Sequence, residues 1–211
     1  MRTDQLINML STNLEPAKSG QLKKTLAWTL AAGGVAAFCM MLATVGLRTE
    51  GAFDLGFLAL KLLFTLILIG SGAGLLGKLI HPGQDGRKLY TVIFGSFLAL
   101  GLAGAIALAR TPPANWHPMI MEGHWGMCVV CIPLFATVPF ATLIWALRRG
   151  APTNLKRTGA VAGLVAGALG AAAYAFHCPD DYLPFVALWY GMMVALCAGI
   201  GAVLGPRLLR W

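Results

Sequence analysis

The stretch FLALKLLFTLILIGSGAGLLGKL fills residues 57–79, and its only charges are Lys61 and Lys78. A run of about 20 apolar residues is what a helix needs to cross the hydrocarbon core of a bilayer. Five more runs of the same kind accompany it, so that apolar segments lie at 25–47, 57–79, 90–109, 127–147, 158–176 and 183–205. The chain is 58% hydrophobic and only 11% charged, with a mean hydropathy of +0.74. Soluble domains carry about 25% charged residues. These features predict an all-α membrane protein, a bundle of six transmembrane helices in a single domain over 25–205, flanked by residues 1–24 and a short tail at 206–211.

The charges report orientation rather than a nucleic-acid partner. Of the 16 Lys and Arg residues, all but Arg48, Lys61 and Arg110 fall at the ends and loops that share a side with the N-terminus. Glu50, Asp54, Glu122, Asp180 and Asp181 fall on the other side. Cationic residues collect on the cytoplasmic side of membrane proteins, so both termini are expected in the cytoplasm. The net charge of +8 therefore lies in short loops, where it sets topology instead of forming a basic face for nucleic acid. Lys61 falls inside the second run near its outer end, where its stem is expected to let the ammonium snorkel outward. The first apolar run is too long for the core of a cleavable leader and reads as an anchor that stays.

The N-terminal segment MRTDQLINMLSTNLEPAKSGQLKK carries Leu6, Ile7, Leu10 and Leu14 at helical spacing, with Thr3 or Asp4 available as a cap and Pro16 and Gly20 to end the pattern. A helix of about a dozen residues is marginal alone in water. It needs a surface, either the membrane interface or a protein partner, and Leu6, Ile7 and Leu10 are its candidate docking face. In the fifth run Gly159, Gly163 and Gly167 recur every four residues. That spacing lets helix backbones approach closely, within the bundle or between two chains.

Soft ligands gather at the outer end. His124, Cys128 and Cys131 in HWGMCVVC share one helix face at i, i+4 and i+7. His177 and Cys178 open the last outer loop, and Met121 and Met127 lie nearby. Thiolate, thioether and imidazole select Cu(I), with zinc or cadmium next. Thiols on an oxidising side can instead form a reversible disulfide. Cys39 and Cys197 lie mid-run, where a small thiol packs as an apolar group. Two other functions place such residues near a membrane edge. A quinone-linked thiol oxidoreductase relays electrons between two cysteine pairs, and a second outer pair is missing. A metal transporter needs polar groups at mid-membrane depth, and the runs offer few.

The stretch IPLFATVPFATLIWALRRGAPTNLKRTGAVAGLVAGALGAAAYAFHCPDDYLPFVALWYG at 132–191, with DQLINML at the start, resembles NrsF-type anti-sigma factors along the whole chain. The resemblance implies a six-span protein of the bacterial inner membrane, not an enzyme, that holds an extracytoplasmic-function (ECF) sigma factor inactive on the cytoplasmic side without touching nucleic acid itself. It also implies that Cys128 and Cys178 sense metal or oxidative stress. Cys131 and the Met/His-rich HPMIMEGHWGM stand outside that two-cysteine pattern and favour metal coordination.

Overall fold

The computed structural model describes residues 19–48, 54–80, 84–121, 123, 125–150 and 152–210. Leu6, Ile7, Leu10 and His124 lie outside the described residues. Among the described residues six long helices form: α1 (Ser19–Thr44), α2 (Leu55–Leu79), α3 (Arg87–Ala109), α5 (Trp125–Leu147), α6 (Leu155–Tyr174) and α7 (Gly191–Leu208). A short helix α4 (Trp116–Met121) lies between α3 and α5. The segments Leu183–Phe185 and Val186–Tyr190 lead into α7, the second of them as a π turn. No strand occurs among the described residues.

Five of these helical stretches, those of α1, α2, α3, α5 and α7, are long and apolar enough to cross a membrane. Helix α6 is not among them; alanine and glycine make up most of it, and Lys156 and Arg157 stand in its first turn. That composition suits its place. It packs against α7, α5, α2 and α1 and is buried along nearly all its length. Small residues take little room at a helix crossing, so four neighbours can close on one axis. Large apolar side chains instead point outward on the surrounding helices, including Trp28, Leu63, Phe94, Leu98, Val130 and Val203. A soluble protein rarely shows so continuous an apolar exterior.

The glycine stripe of α6 is used within the chain. A methyl group at Gly159 would lie 2.6 Å from the Gly205 Cα, and one at Gly163 would lie 3.1 Å from the Gly201 Cα. Glycines of α6 therefore meet glycines of α7 backbone to backbone, and Gly167 receives the Cys197 side chain. Gly170, on another face, seats against the α5 backbone, where a methyl would lie 2.6 Å from the Ile132 carbonyl oxygen. The stripe is an intramolecular crossing.

Local signals fix the helix ends. Asp54 caps α2, its Oδ1 accepting from the backbone N–H of Gly56 at 2.9 Å and of Phe57 at 3.3 Å. Asn154 caps α6 through the Arg157 N–H at 2.9 Å. Pro133 and Pro139 stand inside α5, where each removes a backbone donor. Pro184 stands in the first turn before the π segment, where its missing N–H is harmless.

Candidate functional site

Four elements meet at the end of the bundle that carries Cys128. Helix α5 contributes Cys128 one turn from its start, and α6 contributes Tyr174 at its last residue. The loop after α6 contributes His177, Cys178, Asp180 and Asp181. The π turn contributes Trp189 and Tyr190, and α2 contributes Lys61. A π turn inserts an extra residue and so rotates the side chains that follow it. Here Tyr190 is fully buried and Trp189 nearly so. Trp189 donates to the Ile120 carbonyl at 2.8 Å and stacks on Trp125 with centroids 5.2 Å apart. Trp189 thereby ties both α4 and the start of α5 to the π turn.

The structure places Cys128 and Cys178 near each other as free thiols, close enough for each to act on the other's proton. Cys128 is 0% exposed and Cys178 1% exposed. The Cys178 sulfur lies 4.0 Å from Asp180 Oδ2. The Cys128 thiol beside it draws the Cys178 thiol below the ordinary range; burial opposes this, and the Lys61 ammonium adds to it. Tyr174, whose carbonyl accepts from the Cys178 N–H at 3.0 Å, lies near Cys128, and Tyr190 lies near Cys178. Both tyrosines are fully buried, and neither hydroxyl has a partner in hydrogen-bond geometry. A buried hydroxyl left so costs about 1–3 kcal/mol.

Lys61 is where the sequence reading fails. Its ammonium does not snorkel to the surface. The residue is 1% exposed, and its Nζ donates to Asp181 Oδ1 at 2.9 Å and to the Cys178 carbonyl at 3.3 Å. It also lies 5.8 Å from the centroid of the Tyr190 ring. Asp181 Oδ2 accepts in turn from Arg48 Nη1 at 2.9 Å. One carboxylate thus ties the end of α1 and the second turn of α2 to the loop that carries Cys178. The sequence offered a signal for this, a lone lysine in an apolar run with acids expected on the same side, but five of them there left its partner open.

The remaining candidates are spread around the pair. Cys131 is buried one turn deeper on α5. His177 turns towards α1, with Nδ1 3.1 Å from the Gly46 carbonyl and its ring against Tyr174 at 5.7 Å. Met121 and Met127 are exposed. Among the described residues no three His, Cys, Asp or Glu side chains gather into one cluster. Cys39 is exposed on α1 rather than packed, while Cys197 is buried against the α6 glycines. Sequence reading missed Lys61, Tyr174 and Tyr190 altogether as members of the site.

Comparison with known proteins places the chain. The family NrsF, described as negative regulator of sigma F, matches residues 10–211. The chain is 32% identical over 214 residues to the anti-sigma-F factor NrsF of Caulobacter vibrioides (strain NA1000 / CB15N), with both chains covered completely. It is 28% identical over 218 residues to the probable anti-sigma-F factor NrsF of Azospira oryzae, again over all of both chains. No solved structure matches it. The chain belongs to the NrsF family, a regulatory rather than catalytic one.

Proposed function

We propose that this NrsF-family chain is an anti-sigma factor of the bacterial inner membrane with six transmembrane helices and both termini in the cytoplasm. It holds an ECF sigma factor inactive through its N-terminal segment and lets it go when the Cys128–Cys178 site, facing outward, takes up a soft metal ion. The family supports a sigma-factor partner. Five apolar helices enclosing an alanine- and glycine-rich sixth support the membrane bundle. The observation that carries the sensing role is the pairing of two thiols, distant in sequence, inside a buried and charge-braced pocket.

The donor set decides which metal fits. Zinc and cadmium favour four nitrogen or sulfur ligands, and the described residues gather two thiols without a third such ligand. Cu(I) is satisfied by thiolates and tolerates few of them, so Cys128 and Cys178 would hold it. Thiols give up their protons on binding metal, so affinity falls as the medium becomes acidic.

Coupling follows from what the loop touches. Drawing Cys178 towards Cys128 moves the segment that carries Asp181. Asp181 is bonded to Lys61 on α2 and to Arg48 just past α1. Helix α1 begins at Ser19, directly after the segment that carries Leu6, Ile7 and Leu10. A ligand shifts such an equilibrium only by its difference in affinity for the two states, and turning 1:99 into 99:1 requires about 10⁴-fold.

The test is co-purification of the full-length tagged chain from membranes, with bound protein identified by mass spectrometry. An ECF sigma factor is expected in the eluate, released from wild-type protein by Cu(I) but retained by Cys128→Ser and Cys178→Ser. Release by Cu(I) from all three would remove the sensing role, and the absence of any sigma factor would remove the reading as a whole.

A further inference from the structure

Tyr174 and Tyr190 stand in the site with no task so far. Their hydroxyls are buried and without a partner in hydrogen-bond geometry, and both side chains lie beside the thiol pair. The two rings converge, with centroids 6.2 Å apart, one from the end of α6 and one from the π turn. A neutral thiol is a weak acceptor. A sulfur that carries negative charge is a strong one, and charge-assisted hydrogen bonds are about twice as strong as neutral ones. The arrangement is therefore poorly satisfied around two thiols and well satisfied around two thiolates. A disulfide sulfur carries no charge and leaves both hydroxyls as they are.

We propose that Tyr174 and Tyr190 are positioning residues of a two-sulfur site for a monovalent soft cation, donating their O–H groups to the Cys128 and Cys178 sulfurs once the metal has displaced the thiol protons. This rests on the reading of the cysteine pair as the sensor. The step balances without oxidant or reductant: two thiols and one Cu(I) give a bis-thiolate complex of charge −1 and two protons, which leave to the medium. Two S–H bonds break and two metal–sulfur bonds form. The Lys61 ammonium, held against the Cys178 carbonyl, lies beside the added negative charge. The hydroxyls then favour metal over disulfide at the same two cysteines, because only the metal-bound state gives them acceptors.

Tyrosine-to-phenylalanine changes keep the rings and remove only the donors. The experiment uses detergent-purified full-length protein under anaerobic reducing conditions, with Cu(I) alone as the probe against a chromogenic Cu(I) chelator. Removing an outer hydrogen bond to a metal ligand costs about 10–100-fold in affinity. Tyr174→Phe and Tyr190→Phe are each expected to loosen Cu(I) about tenfold, and the double variant more. The metal-free proteins should unfold at or above the wild-type temperature, because a buried hydroxyl without a partner has been taken away. A merely structural role would lower that temperature instead. Wild-type affinity in the double variant overturns the proposal while leaving the sensor reading intact. A loss of affinity that tracks a loss of metal-free stability also overturns it. Failure of the wild-type protein to bind Cu(I) overturns both readings together.

Discussion

Replacing Asp181 by Asn tests the charge brace, and the structure fixes the order of effects among three variants. In the wild type Lys61 is 1% exposed and its ammonium has two acceptors, Asp181 at 2.9 Å and the Cys178 carbonyl at 3.3 Å. Asp181→Asn leaves a buried ammonium with no counter-charge in contact. Breaking a buried pair in this way costs about 3–5 kcal/mol, because the stranded ion keeps its desolvation penalty. Lys61→Met is milder. The Asp181 side chain is 18% exposed and keeps Arg48 at 2.9 Å, so its charge stays hydrated and paired. Methionine fills much of the space of the lysine stem, and the loss should be about 1–2 kcal/mol. The double variant Lys61→Met/Asp181→Asn strands no buried ion and should be more stable than Asp181→Asn alone. The assay is thermal unfolding of detergent-purified protein. At roughly 2–4 °C per kcal/mol for a chain of this size, Asp181→Asn should lower the midpoint on the order of 10 °C and Lys61→Met by a few degrees. The reasoning is refuted if Lys61→Met is the worse variant. It is equally refuted if Asp181→Asn unfolds with the wild type.

Gly163→Leu should abolish the α6–α7 crossing, since even a methyl there would meet the Gly201 Cα at 3.1 Å; loss of folded protein from membranes by size-exclusion profile checks it. A reporter active only outside the inner membrane, fused after Pro113 or Asp181, should be active, and one fused after Gly83 or Pro152 should be silent; the reverse pattern would put the thiols in the cytoplasm. Leu6→Asp with Leu10→Asp should free the sigma factor and raise its transcription without stress while the protein still reaches the membrane. Persistent repression there would make the N-terminal segment an interfacial anchor only.

The helices were legible because each needs one continuous apolar run. Helix α6 was legible only in part: its glycine spacing marked a close crossing, but the partner, α7 through Gly201 and Gly205, depends on the arrangement of the whole bundle. Cys128 and Cys178 could be matched because the charge pattern put both at one end of the expected bundle and both carry the family resemblance. His177 could not be placed, since an adjacent position in sequence says nothing of which way a loop side chain turns, and it turns to the Gly46 carbonyl. Lys61 was read as a snorkelling residue because the rule concerns lysines facing lipid. This one faces the bundle, where an aspartate reached from another helix connection meets it. The π turn was invisible. Nothing in VALWY at 186–190 departs from ordinary helix, yet the segment that carries the buried Tyr190 is a π turn.

The central claim is that Cys128 and Cys178 together govern release of a sigma factor. The most direct measurement is sigma-dependent transcription in cells whose only copy of the chain is wild type, Cys128→Ser or Cys178→Ser, each with and without added copper. The account predicts repression by all three without copper and induction by copper in the wild type alone. Normal induction in both serine variants would contradict it.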